Sequence, residues 1–122
     1  MRHIGLTVTS IEPGRSVLEL PCRPEVTFDG KHVQGGIVGV LGEIAAILAP
    51  ACELPYGWRP LSLTCDFHSL APAAGDRLIA VGRTVRAGKR QMVGRSEVFV
   101  DRVDGTLCCT GLYSATAVPP TD

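Results

Sequence analysis

Apolar residues at Ile37, Val40, Leu41, Ile44 and Leu48 follow the three-, four- and seven-residue spacing of a helix. The run opens after Gln34-Gly35-Gly36, and Pro50 is expected to end it. Its reverse face, Gly39, Gly42, Ala45, Ala46 and Ala49, is nearly as apolar but small. Such a helix is expected to be buried all round, gripped by a curved sheet. Helical glycines cost about 1 kcal/mol each relative to alanine. That expense points to close packing or to the approach of a ligand.

The rest of the chain reads as strands. Residues 4–12 have β-type alternation, and Pro13-Gly14 signals a turn into 16–22, which predicts an N-terminal strand or hairpin. Thr27 to Gly36, with Asp29-Gly30 and Gly35-Gly36, reads as a shaped loop. After the helix come four long β-type segments, 61–70, 77–87, 91–101 and 106–117, with turns at 72–75, 88–90 and Asp104-Gly105. The expected order is β–α–β–β–β–β, an α+β domain with a long antiparallel sheet. One helix cannot cover both faces of such a sheet. Dimerisation is expected to extend the sheet and cover what remains, as a homodimer or homotetramer. Val118 to Asp122 reads as a frayed tail.

At 122 residues the chain is expected to form one domain over 1–122. The 12 Lys and Arg balance the 12 Asp and Glu, which removes the global field that a nucleic-acid binder or polybasic membrane protein would use. Five cysteines, an odd number with no C-x-x-C pair, argue for reduced thiols in a cytoplasmic protein. The N-terminus lacks a signal-type apolar core, and 37–49 is too short to span a bilayer.

Glu43 is a lone carboxylate in the most apolar stretch of the chain, and burying one unpaired is costly. A chain that keeps it there is expected to use it. The turn Gln34-Gly35-Gly36 would set free backbone amides at the positive end of the same helix, giving an anion stabiliser and a base on one element. The competing reading is a structural carboxylate paired with an arginine across a dimer interface. Gln34 reads equally as a ligand contact or as a loop brace. His68 reads as structural, His3 as tail, and no His, Cys or acidic spacing suits a metal.

One helix wrapped by a long sheet, with Gln34-Gly35-Gly36 followed by Glu43, resembles the hotdog-fold acyl-CoA thioesterases of the phenylacetate-pathway (PaaI-like) type. Their pattern is H-G-G at the helix start, an acid eight residues beyond the first glycine, then a strand ending near a proline. Gly35, Glu43 and the strand 61–70 before Pro72 match it, as do the hairpins at Gly88-Lys89-Arg90 and Asp104-Gly105, so the resemblance spans roughly residues 14–118. On this resemblance the domain is a hotdog domain, with about 13 N-terminal and about 4 C-terminal residues peripheral. Two positions depart: Gln34 stands for the motif histidine, and Phe28 stands where an asparagine is usual.

The resemblance implies thioester hydrolysis without a cofactor or metal, on an acyl-CoA substrate. Glu43 would be the base or nucleophile, Gly35 the oxyanion donor and Gln34 a further donor. Gly36, His32, Phe28 and either Ser62 or Thr64 would position the substrate or water. Eight helical residues separate Gly35 and Glu43 by about 12 Å, too far for one thioester, and in the family the two come from opposite subunits. The rival readings are a non-catalytic acyl-CoA-binding module and a hydratase, whose usual histidine position is Asp29 here. Arg83, Arg86, Lys89, Arg90 and Arg95 form a basic cluster around the Gly88 turn. Within it Arg86, Lys89 and Arg90 suit the phosphates of coenzyme A, the alternative being a solvated hairpin.

Overall fold

The computed structural model describes residues 4–121. Strands β1 (Thr7–Glu12) and β2 (Arg15–Pro21) form the N-terminal hairpin, and a single 3-10 turn (Pro24–Val26) leads to α1 (Gly35–Ala51). Strands β3 (Arg59–Ser69), β4 (Arg77–Ala87), β5 (Met92–Val100) and β6 (Thr106–Val118) follow. All six strands lie in one antiparallel sheet of order β1-β2-β4-β5-β6-β3.

The sheet curls around α1. Leu18 and Leu20 of β2, Leu78 and Ala80 of β4, and Val98 of β5 are fully buried with Leu41 and Ala45 of the helix. Each large aliphatic buried this way contributes about 1.5–3 kcal/mol. Small residues let helix and sheet approach to backbone contact. A Cβ at Gly82 would collide with the Ala45 carbonyl, and one at Gly94 with the Ala46 carbonyl. The buried Ser16 hydroxyl donates to the Ala45 carbonyl at 2.6 Å. On the helix side, a Cβ at Gly42 would meet the Tyr113 and Ser96 hydroxyl oxygens at 2.7 and 2.8 Å. Close packing therefore accounts for Gly42, one of the costly helical glycines.

Two expectations are corrected. Pro50 does not end the helix, which runs one residue further to Ala51. Lacking an N–H, Pro50 frees the Ala46 carbonyl, and that oxygen lies against the Cα of Gly94, which has no side chain to exclude it. Nor is the helix buried all round: Gly36 and Val40 are exposed and Glu43 is half-buried. The strip is open because the sheet stops at β3, where all eleven residues are exposed.

Candidate active site

Gln34 is the N-cap of α1, and its backbone carbonyl accepts from Ile37 N (2.9 Å) and Val38 N (3.1 Å). Its side chain makes no capping bond and is exposed, so no loop-bracing role is seen within this chain. Gly35 and Gly36, the first two helical residues, donate no hydrogen bond to any described residue. These are the orphan donors of a helix start, with the positive end of the dipole behind them. Among the described residues, nothing besides the chain neighbours and the helix's own backbone lies within 4 Å of a Cβ added at either position, and neither has positive φ. Packing and backbone conformation leave both positions open to a side chain.

The loop before the helix is held by its own polar groups. Asp29 Oδ1 accepts from the backbone N–H of Lys31 (2.9 Å) and His32 (2.7 Å), and its Oδ2 lies 2.6 Å from His32 Nδ1. The backbone and side-chain hydrogen bonds from His32 hold the Asp29 carboxyl down at about 2. The Phe28 ring stacks on His32 with centroids 5.9 Å apart. Phe28, His32, Val33, Gly35 and Val38 line a cavity of about 330 Å³ with Ser69, Pro72 and Cys108. His32 thus lines the same cavity as Gly35.

Glu43 lies two turns on, at the open strip between α1 and β3. A groove of about 230 Å³ runs from Gly36 past Gly39 and Val40 to Glu43, walled by Cys65 and Phe67. A Cβ at Gly39 would collide with the Phe67 ring, so the second costly glycine keeps this groove's floor close to the strand. Beyond Glu43, Ile44, Ile47, Leu48, Pro60 and Ser62 enclose an apolar pocket of about 160 Å³. That is the size of a cavity that holds a benzene ring. Glu43 makes no ion pair among the described residues; its Oε2 accepts from the Cys65 thiol at 2.7 Å. Burial, with the hydrogen bond and charge of Glu43, pushes Cys65 up to about 11. Burial likewise pushes the Tyr113 phenol up to about 12, the Ser96 hydroxyl offsetting part of the rise.

A bulge separates the two candidate hydroxyls. The register of β3 on β6 shifts between Ser62 and Thr64. Ser62 faces the Glu43 pocket, whereas Thr64 Oγ1 bonds Ser114 Oγ at 2.6 Å on the other face of the sheet. At the far end of the helix, Lys89 Nζ stands 4.8 Å over the Trp58 ring, and Arg86 and Arg90 are exposed. His68 is exposed, 3.4 Å from Asp66, and His3 lies outside the described residues. All five cysteines are free thiols. Among the described residues no cluster of three or more His, Cys, Asp or Glu could hold a metal, and no helix is long and apolar enough to cross a membrane.

Neither a protein-family model nor a curated protein sequence matches this chain. Solved structures do. A thioesterase from Haemophilus influenzae superposes with a TM-score of 0.88 at 16% identity, covering 99% of this chain and 83% of its own. A mutant of a thioesterase from Staphylococcus aureus gives 0.88 at 21% identity, with 97% of each chain covered. The fold is the hotdog fold. A Bacillus halodurans protein crystallised with CoA gives 0.77 at 27% identity over 84% of this chain and 66% of that one.

In the hotdog frame, Gly36 and Glu43 share one groove, while Gly35 and His32 share another. The residues that the sequence reading missed are Cys65 and Phe67, both on the helix face of β3. Strand alternation through 61–70 places them on one face, but the pairing of that face with Glu43 depends on the bulge.

Proposed function

We propose that this hotdog protein is an acyl-CoA thioesterase of the phenylacetate-pathway (PaaI-like) type. The observation that carries the reading is a carboxylate with no charged partner in the described chain, set in a groove that begins at free helix-start amides. Glu43 takes a proton from a water that bonds to the thioester carbon, or bonds to that carbon itself to give an anhydride that a water opens after the thiolate has left. In each case the carbonyl oxygen gathers negative charge as the tetrahedral intermediate forms. The Gly35 N–H stabilises that oxygen, aided by the helix dipole. Collapse expels the thiolate, which recovers the proton. Ser62, on the Glu43 side, orients the water; Gly36, Gln34, His32 and Phe28 line the approach of the thioester.

Two copies complete the site. The eleven exposed residues of β3 form an unpaired sheet edge, with Leu61 and Leu63 each 56% exposed. Pairing two such edges in a homodimer brings Glu43 of one subunit towards Gly35 of its partner, resolving the separation of about 12 Å within a chain. The apolar pocket beyond Glu43 takes the acyl group. Arg86, Lys89 and Arg90 hold the phosphates of the coenzyme, and the free thiols suit the reducing cytoplasm.

The test is a panel of acyl-CoA thioesters with released thiol measured for wild type and Glu43→Gln. The amide fills the same volume yet cannot act as base or nucleophile, so hydrolysis falls ~100-fold or more while the fold persists. A variant within a few-fold of wild type on the best substrate refutes the role of Glu43. Binding without turnover by wild type refutes the hydrolase and leaves a binding module.

A further inference from the structure

The sheet face turned away from the helix carries an arrangement of which the proposed hydrolysis uses only Arg86. Residues alternate between the two faces of a strand. Ser16 bonds the helix carbonyl of Ala45, Gly82 lies against the same carbonyl, and Ser96 packs on Gly42. Their neighbours Arg15, Arg83 and Arg95 therefore project from the opposite face. The register sets these three side by side: Arg15 opposite Arg83, and Arg83 opposite Arg95. Adjacent strands lie about 4.8 Å apart, so the three Cα atoms span about 10 Å. Arg86 joins them from the next rung: it pairs with Val93, between the helix-facing Met92 and Gly94.

Like charges directly opposite each other weaken a sheet, and here the chain supplies little to offset them. Arg15 meets Glu12 at 3.6 Å. No ion pair or side-chain hydrogen bond among the described residues includes Arg83, Arg86 or Arg95, all of them exposed. Of the other acids of this face, Asp66 lies at the far end of the rung, beyond Leu112 and beside His68, and Glu19 is taken by Arg77. Glu97 is the nearest, one rung over and opposite Val81, and it makes no ion pair with Arg83 or Arg95.

We propose that the arginine rung Arg15–Arg83–Arg95, with Arg86, is a binding site for closely spaced phosphates, a diphosphate or a nucleoside bisphosphate. Guanidinium forks bind phosphate oxygens bidentately, and one anion with two phosphates bridges adjacent forks and removes their mutual repulsion. The ligand arrives either as the nucleotide end of coenzyme A or as a free nucleotide. The coenzyme source rests on the proposed function, which already gives Arg86 to the same phosphates; binding of pyrophosphate and of the bisphosphate is measured without hydrolysis and stands whether or not the protein hydrolyses thioesters.

The experiment is isothermal titration of the full chain in chloride buffer of low ionic strength with inorganic pyrophosphate, adenosine 3′,5′-bisphosphate and coenzyme A. Saturable binding is expected, weakened at least about tenfold in the double variant Arg83→Gln/Arg95→Gln and weakening as salt rises. Arg83→Lys/Arg95→Lys keeps the charge but loses the forks, and is expected to fall between. Arg102→Gln, in the β5–β6 turn, is expected to bind like wild type. Without ligand the Gln variant melts no lower than wild type, because a repulsion has been removed. Pyrophosphate at ten times its Kd raises the wild-type midpoint by about 4–6 °C, a rise that the Gln variant loses. Coenzyme A binding more tightly than the bisphosphate assigns the rung to the coenzyme; equal affinities assign it to a free nucleotide. No heat at millimolar probe, an unaffected Gln variant, or an equal loss in Arg102→Gln overturns the site.

Discussion

Replacing Glu43 by Gln should make Cys65 react faster, although the substitution leaves the cysteine itself unaltered. The thiol stands at about 11 against an ordinary 9.0, so its thiolate fraction at pH 8 is about a hundredfold below that of a free thiol. Burial is the largest cause and survives the substitution; the hydrogen bond to Glu43 and its negative charge come next and are removed. Returning up to half of the rise multiplies the thiolate by up to about tenfold. A less basic thiolate is also a weaker nucleophile, by about threefold over that interval. The net expectation is alkylation about three- to fourfold faster. Iodoacetamide labelling at pH 8, read by peptide mass spectrometry with the exposed Cys52 as internal reference, measures it. An unchanged or slower Cys65-to-Cys52 ratio would mean that the carboxylate and thiol are not in contact, whatever the protein hydrolyses.

Gly94→Ala drives a Cβ into the Ala46 carbonyl and should cost about 3 kcal/mol, read as a lowered denaturation midpoint. Gly35→Ala has open space within the chain; its midpoint should stay within about 0.5 kcal/mol of wild type while thioester hydrolysis falls, and full activity would remove the glycine from the site. Light scattering at micromolar concentration should give at least twice the 12.9 kDa of one chain, and a monomer mass would exclude the shared site. Neutralising Arg86, Lys89 and Arg90 should raise KM for acyl-CoA but hardly alter hydrolysis of the same acyl group on a truncated pantetheine thiol; equal losses on both would indicate misfolding.

The strands were legible because long alternating segments between Gly- and Pro-marked turns leave little freedom, and 77–87 coincides with β4. The helix start was legible from the spacing after Gly35-Gly36. Its end was not, because the fate of Pro50 depends on Gly94, 44 residues away, accommodating a freed carbonyl. The contrast between the two hydroxyls was hidden for a related reason: a β-bulge is a property of two strands, and only the pairing of β3 with β6 turns Ser62 inward and Thr64 outward. Cys65 was overlooked because a free cysteine carries no spacing signal. Of the arginine rung, Arg83, Arg86 and Arg95 were legible as part of the basic cluster around Gly88, but Arg15 was not, since it lies 68 residues from Arg83 in sequence and meets it through the register alone.

The open edge of β3 has a consequence for the life of the chain before assembly. The outer edge of this eleven-residue strand, paired with β6 on one side only, with Leu61 and Leu63 each more than half exposed, forms a template on which any extended segment can add. Newly made chains at low copy number therefore face a contest between the correct partner and adventitious strands, decided by concentration and time. Dilute or slowly supplied protein should be lost to aggregates that the same sequence escapes when it is abundant. A single lysine placed at Leu63 would close that route and, with it, the intended pairing.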